Sequence, residues 1–231
     1  CAPTHQGRIQ VKAYEIVNAA RYMIADRNEP YPWPDAELMF YLNDAINELC
    51  RECLLIFDNK TPDICHVSVT STQTDYALDG RIIMVVRARL ASDGRGLVRT
   101  YAEKLDLLYT GWEALYGRPR QYLFDSSSKT LRLFPMPTTD DTLHLSVYRM
   151  PLNDITLNDK TVTPEIAFHY HYVLVNGILA RAFAKPDLHT YDENKAKVYK
   201  NIWLETLENI KREKARAGYS ESTFTVSGGA I

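Results

Sequence analysis

The hydrophobic period changes twice along this chain, from steps of three and four to steps of two and back again. That order restricts it to helices, then strands, then helices. In residues 11–26 the apolar side chains Val11, Tyr14, Val17, Ala20 and Ile24 mark one face of a first helix. The three prolines of "RNEPYPWP" break it. A second helix is expected over residues 34–57. Asp35 and Glu37 sit in its first turn, where the dipole favours negative charge, and Leu38, Leu42, Ala45, Leu49, Cys53 and Ile56 form its stripe.

After "DNKTPD" the pattern becomes that of strands: "HVSVTS" and "TDYAL" alternate, and "RIIMVVRARL" is a longer β-rich run. "ASDGRGLVR" reads as a turn-rich connection, and "TYAEKLDLLYTGWEALYG" as a short helix or irregular segment anchored by Trp112. Residues 120–124 and 130–134 are predicted strands with "DSSSK" as their turn; "PMP" ends the second, because proline donates nothing to a ladder. "TLHLSVYRM" alternates most clearly, with Leu143, Leu145 and Val147 opposed to His144, Ser146 and Tyr148.

The last third returns to helices. One is expected from Pro164 and Glu165 through "AFHYHYVLVNGILARAFA". Another is expected over 191–217, with Val198, Ile202, Leu207 and Ile210 on its apolar side. The tail, with three serines and three glycines and little charge, cannot bury itself and is expected to be flexible or ordered only on a partner. The fold class is therefore α+β: a bundle of the N- and C-terminal helices (8–60 plus 160–217), a β-rich antiparallel insertion (64–158) and a flexible tail (218–231).

Composition narrows the function. A formal charge of −2 over 231 residues argues against a protein that coats nucleic acid. The absence of any apolar run near the ~20 residues a membrane helix needs suggests a soluble chain. Cys1, Cys50, Cys53 and Cys65 do not make a disulfide scaffold. Cys50 and Cys53 form a CxxC, but the surrounding pattern is helical, so they read as small apolar side chains on its buried side and not as a zinc knuckle. Cys1 at the start of the chain also admits a processed lipoprotein terminus.

No nucleotide-binding, metalloprotease or serine-hydrolase motif is present. Ser126, Ser127 and Ser128 lack a nearby histidine and a glycine-rich oxyanion segment, and serine-rich tips are ordinary turn chemistry. His169 and His171 would point ~200° apart on a helix, which opposes chelation by both. Lys211, Arg212, Lys214 and Arg216 end the last helix, where the dipole favours cations. No catalytic, cofactor-binding or metal-ligating residue is assigned.

The features that remain lie in "WPDAELMFYLNDAINEL", in "LDLLYTGWEALYGRPRQYLFDSSSKTLRLFPMPTTDDTLHLSVYRMPL" and in "KVYKNIWLETL". Trp112 precedes Gly117-Arg118-Pro119, and a hairpin, Pro135-Met136-Pro137 and a strand closed by Pro151 follow. In this order the chain resembles the head–tail adaptor (connector) proteins of tailed bacteriophages. The resemblance implies a structural virion protein without enzymatic activity or cofactor, assembled as a ring, typically of twelve copies, between portal and tail. DNA would pass through its lumen without specific binding, and no membrane is involved. The protein would act in the host cytoplasm during assembly and end in the neck of the virion. The C-terminal segment would dock on the portal through Tyr219, Phe224 and Ile231, with Lys211 and Arg212 as secondary contacts. The alternatives are a tail tube or nozzle protein, or a hydrolase or metal enzyme without a recognisable motif.

Overall fold

A computed structural model of the chain describes residues 11–26, 29, 31–159, 161–186 and 191–223, the last six by their backbone. The chain begins with α1 (Ala13–Met23) and α2 (Asp35–Cys53), followed by β1 (Ile56–Asp58), α3 (Pro62–Cys65) and β2 (His66–Val69). Next come β3 (Asp75–Ala77), β4 (Ile82–Leu90), β5 (Val98–Arg99) and α4 (Ala102–Leu108). Strands β6 (Gln121–Asp125), β7 (Thr130–Phe134) and β8 (Asp141–Arg149) precede the final helices α5 (Leu174–Ala184) and α6 (Glu193–Thr223). The chain divides into two compact units: residues 1–55 with 153–231, and residues 56–152. The class is α+β, as the periods predict.

The helical unit packs α1, α2 and α6 around α5, the most buried helix of the four. α5 carries Gly177 because two neighbours arrive there at once. A Cβ at this position would lie 2.7 Å from the Ala45 Cβ of α2 and 3.1 Å from the Trp203 ring of α6. One turn later Arg181 reaches Asp44 (2.5 Å) and Glu48 (2.7 Å), and Glu48 also accepts the Trp203 indole N–H (2.8 Å). The returning chain is tied to α2 by the Asn43 amide, which both donates to and accepts from the Ile155 backbone (2.8 and 2.9 Å). At the other end Arg21, buried at the close of α1, donates to Asp26, to the Trp33 carbonyl and to Asp35, and stacks on Tyr31. That set organises the proline-rich connection, and Trp33 in turn donates to the Ala182 carbonyl at 3.1 Å.

Several helix boundaries differ from the periodic expectation. α2 stops at Cys53, not Phe57, because Leu54 turns into the left-handed region (φ 51°, ψ 53°) and the next residues pair as β1. Leu54 has the backbone of a helix cap without the glycine that usually marks one. α5 begins at Leu174, ten residues after Pro164, and the expected first turns form a 3-10 turn over Phe168–Tyr170. There His171 is buried and its Nε2 lies 3.0 Å from the Ile166 carbonyl, an interaction that holds a loop instead of extending the helix. α6 runs on to Thr223, six residues into the segment expected to be tail; Gly218 alone costs about 1 kcal/mol in a helix and does not end it. Its buried side is Trp203, Leu207 and Ile210, whereas Val198 and Ile202 are exposed.

The β unit contains two four-stranded sheets. In the first, β8 is the spine. β4 pairs along all of one side, while β1 and β2 share the other side, opposite residues 147–149 and 141–144. In the second, the order is β3-β7-β6-β5. The β5–β6 pair is parallel, as is the single bridge between Tyr116 and Met136; both depart from the expected antiparallel block, and β5 falls in a segment that reads as turn-rich. The inner faces of both sheets supply one core, with Leu143, Leu145 and Val147 from β8 meeting Tyr76, Tyr122, Leu131 and Leu133. A satellite core of Leu105, Trp112 and Phe134 anchors α4, with the Trp112 indole donating to Asp106 at 2.7 Å.

One ion pair is buried with the first sheet. Arg149 Nε donates to Asp58 at 2.6 Å, and the carboxylate also accepts the Lys60 and Thr61 backbone N–H groups and the Thr61 hydroxyl. Burial alone would raise the Asp58 carboxyl, but these donors outweigh it and hold it well below the usual carboxylate range. A depressed folded-state value means that its stabilisation is complete above the unfolded value of about 3.9 and disappears as the pH falls toward the folded one.

Two outcomes follow from these contacts. Gly177→Ala, normally favourable within a helix, should here destabilise the protein by about 1–3 kcal/mol in urea unfolding, and Ala45→Gly should restore part of the loss. Asp58→Asn should cost about 1–3 kcal/mol at neutral pH by removing the carboxylate charge that accepts from Arg149, Lys60 and Thr61, and should make the loss of stability below about pH 4 shallower than in the parent protein.

Candidate interaction surfaces

The residues expected to meet a portal lie along or beyond the end of α6. Lys211 donates to Glu52 of α2 at 2.9 Å and to Glu208 at 3.3 Å, so it pins α6 to the bundle. Lys214, half-buried, donates to the Leu54 carbonyl and closes the end of α2. Arg212 is exposed and bonds only along its own helix, to Asn209 Oδ1 at 2.8 Å and to the Glu208 carbonyl. Of the four basic residues at the end of α6, Arg212 and Arg216 are the exposed ones. Tyr219 falls on the helical backbone of α6. Phe224 and Ile231 lie outside the described residues.

The side chains with chemical potential are engaged in holding the fold. Asp125 accepts the Ser127 N–H (2.9 Å) and the Ser128 hydroxyl (2.7 Å), so the serine triplet is the tip of the β6–β7 hairpin. Asp140 accepts the Ser71 N–H at 2.7 Å, and Asp141 accepts the Ser92 hydroxyl at 2.5 Å; both carboxylates tie connecting loops to the start of β8. Cys50, Cys53 and Cys65 are buried, and burial pushes the thiols of Cys53 and Cys65 up to about 11, which keeps both protonated at neutral pH. His169 is exposed on the 3-10 turn against Tyr170, and His171 is buried beneath it. Among the described residues no group of three or more histidine, cysteine, aspartate and glutamate side chains is placed to hold a metal. No described helix is long and apolar enough to cross a membrane.

Two surfaces of the β unit escaped the sequence reading. The first surrounds α4, where Leu105 alone faces inward. Val98, Tyr101, Leu107, Leu108, Leu115 and Tyr116 are all exposed, Leu107 at 84%. Periodicity cannot separate such leucines from core leucines, because it reports a face and not what covers it. The second is the outer face of the first sheet, where His66, His144 and Arg89 stand side by side on β2, β8 and β4. Burial, then the neighbouring His66 and Arg89, push the His144 imidazole down. The alternation of "TLHLSVYRM" did place His144 opposite the core face.

Exposed apolar side chains occur on both units, Leu107 and Leu108 on the β unit and Phe40, Phe168 and Tyr172 on the helical one. The family model of the SU10 adaptor protein matches residues 11–226. The chain belongs to that family, a family of phage head–tail adaptors, and is a structural protein of the bacteriophage virion. No curated protein matches it.

The ion pairs at the α2–α6 seam give a direct check. Lys211→Ala should lower stability by about 0.2–1 kcal/mol, the range of exposed pairs, whereas Arg212→Ala should leave the unfolding midpoint unchanged.

Proposed function

We propose that this protein forms a ring of identical copies, twelve in number, that joins the portal of a tailed bacteriophage to the first component of its tail. The observation that carries the reading is the family match, which extends over both units and all of α6. The helical units pack side by side to make the ring. The C-terminal segment, from Tyr219 through Phe224 to Ile231, docks on the portal with Arg212 beside it. The length of α6 supports this role. Its 31 residues span about 46 Å at 1.5 Å per residue, nearly three times the length of α5, so the helix is long enough to carry its end away from the bundle core. The apolar surface around Leu107 and Leu108 supports a contact between the β unit and the next tail component.

DNA passes through the lumen of such a ring. The formal charge of −2 suits a passage that must not hold it, because phosphate affinity requires a cationic excess. The protein assembles in the host cytoplasm and remains in the neck of the particle.

Deleting residues 219–231 should leave the unfolding transition in place and abolish attachment to portal-bearing capsids. Electron microscopy of the full chain mixed with its portal should show a symmetric ring stacked on it. Normal attachment by the truncated chain would remove the docking role of the C-terminus, and a chain that never docks would overturn the reading as a whole.

A further inference from the structure

His66 and His144 are direct cross-strand partners in the β2–β8 ladder, and their imidazole rings meet edge to face with centroids 4.5 Å apart. Neither ring makes a hydrogen bond or an ion pair with a described residue. By contrast, Asp141, Arg149 and Asp58 of the same sheet have side-chain partners. His66 is exposed and His144 half-buried, so one flank of the pair is open to solvent.

We propose that His66 and His144 form a two-histidine site for a divalent transition-metal ion of the zinc class, which cross-links the edge strand β2 to β8. The geometry meets the main requirement. Two bonds of about 2.0–2.1 Å to one tetrahedral ion place the ligating nitrogens about 3.3 Å apart. Rings whose centroids are 4.5 Å apart reach that separation by rotation about χ2, which is broad for histidine. Neutral imidazole is a ligand type that such ions prefer, and water fills the remaining positions on the open flank. The other groups on this face are Ser68 and Thr142, a cross-strand pair one step along, Ser146 with its partner Arg87 on β4, and Tyr148. Arg89 on β4 stands on the far side of His144, so the ion sits toward β2. What the ion would add is a reversible coordinate tie on a four-residue strand that pairs with β8 and packs on α3.

The test is titration of the full chain with zinc chloride, followed by calorimetry and by hydrogen exchange of the β2 amides. One ion per chain should bind, and the Val67 and Val69 amides should exchange more slowly with zinc than without it. His66→Ala and His144→Ala should each lose both the binding and the added protection, whereas His169→Ala should retain them. The absence of any binding by the parent chain into the millimolar range would overturn the proposal. So would retention of binding by either the His66 or the His144 variant, or binding that leaves β2 exchange unchanged. Far-ultraviolet circular dichroism of each variant separates a lost ligand from a lost fold, and His66→Gln and His144→Gln repeat the test should an alanine variant fail to fold.

Discussion

Where α2, α5 and α6 meet at Gly177, the space of a single methyl group governs the packing of the helical unit. The Ala45 Cβ and the Trp203 ring occupy the volume that a side chain would need, so three helices approach more closely than branched residues would allow. The Arg181–Glu48–Trp203 set sits one turn away and holds the same three helices by charge and hydrogen bonding. Close apolar contact and a satisfied polar clamp therefore act on the same crossing. The exposed pairs farther along α6, such as Lys211 with Glu52, add little energy to it.

The β unit depends on β8 in a comparable way. Every other strand of its sheet pairs with β8, and its inward residues meet the second sheet across the common core. The end of β8 is closed by Arg149, whose charge is tolerable in a buried place because Asp58 faces it and is itself saturated with donors. Asp58 is brought there by β1, a strand of three residues formed by chain that a helical pattern would have claimed for α2. A short strand thus supplies the counter-charge that makes the end of the spine stable.

Function rests on what these two scaffolds leave uncovered. The serines of the hairpin tip, the acidic pair at the start of β8 and the buried thiols all have structural partners or are shielded, so the residues that first invite a catalytic reading serve as turn caps, loop ties and core. Among the described residues, the surfaces that remain include the apolar α4 region, the outward cations Arg212 and Arg216 of α6 and the histidine face of the first sheet. A family of virion adaptors has use for such surfaces, since its members must be held in place by other proteins.

Local pattern was enough to read the class of fold, the hairpin around Asp125, the alternation of β8, the buried stripe of α2 and the anchoring by Trp112. Each depends on neighbours within a few residues along the chain. Family order was legible too, because it resides in the succession of tryptophan, glycine, prolines and strands. Other features were decided by contacts between distant residues. Leu54 ends α2 where the chain must turn into β1, and His171 holds a loop through Ile166 where a helix was expected. Trp203 displaces Val198 and Ile202 from the buried side of α6 because Gly177 opens room for it. The pairing of His66 with His144, 78 positions later in the chain, exists only through the β2–β8 register. Periodicity states which face of an element is apolar, but which face is covered, and by what, depends on partners that only the folded chain brings together.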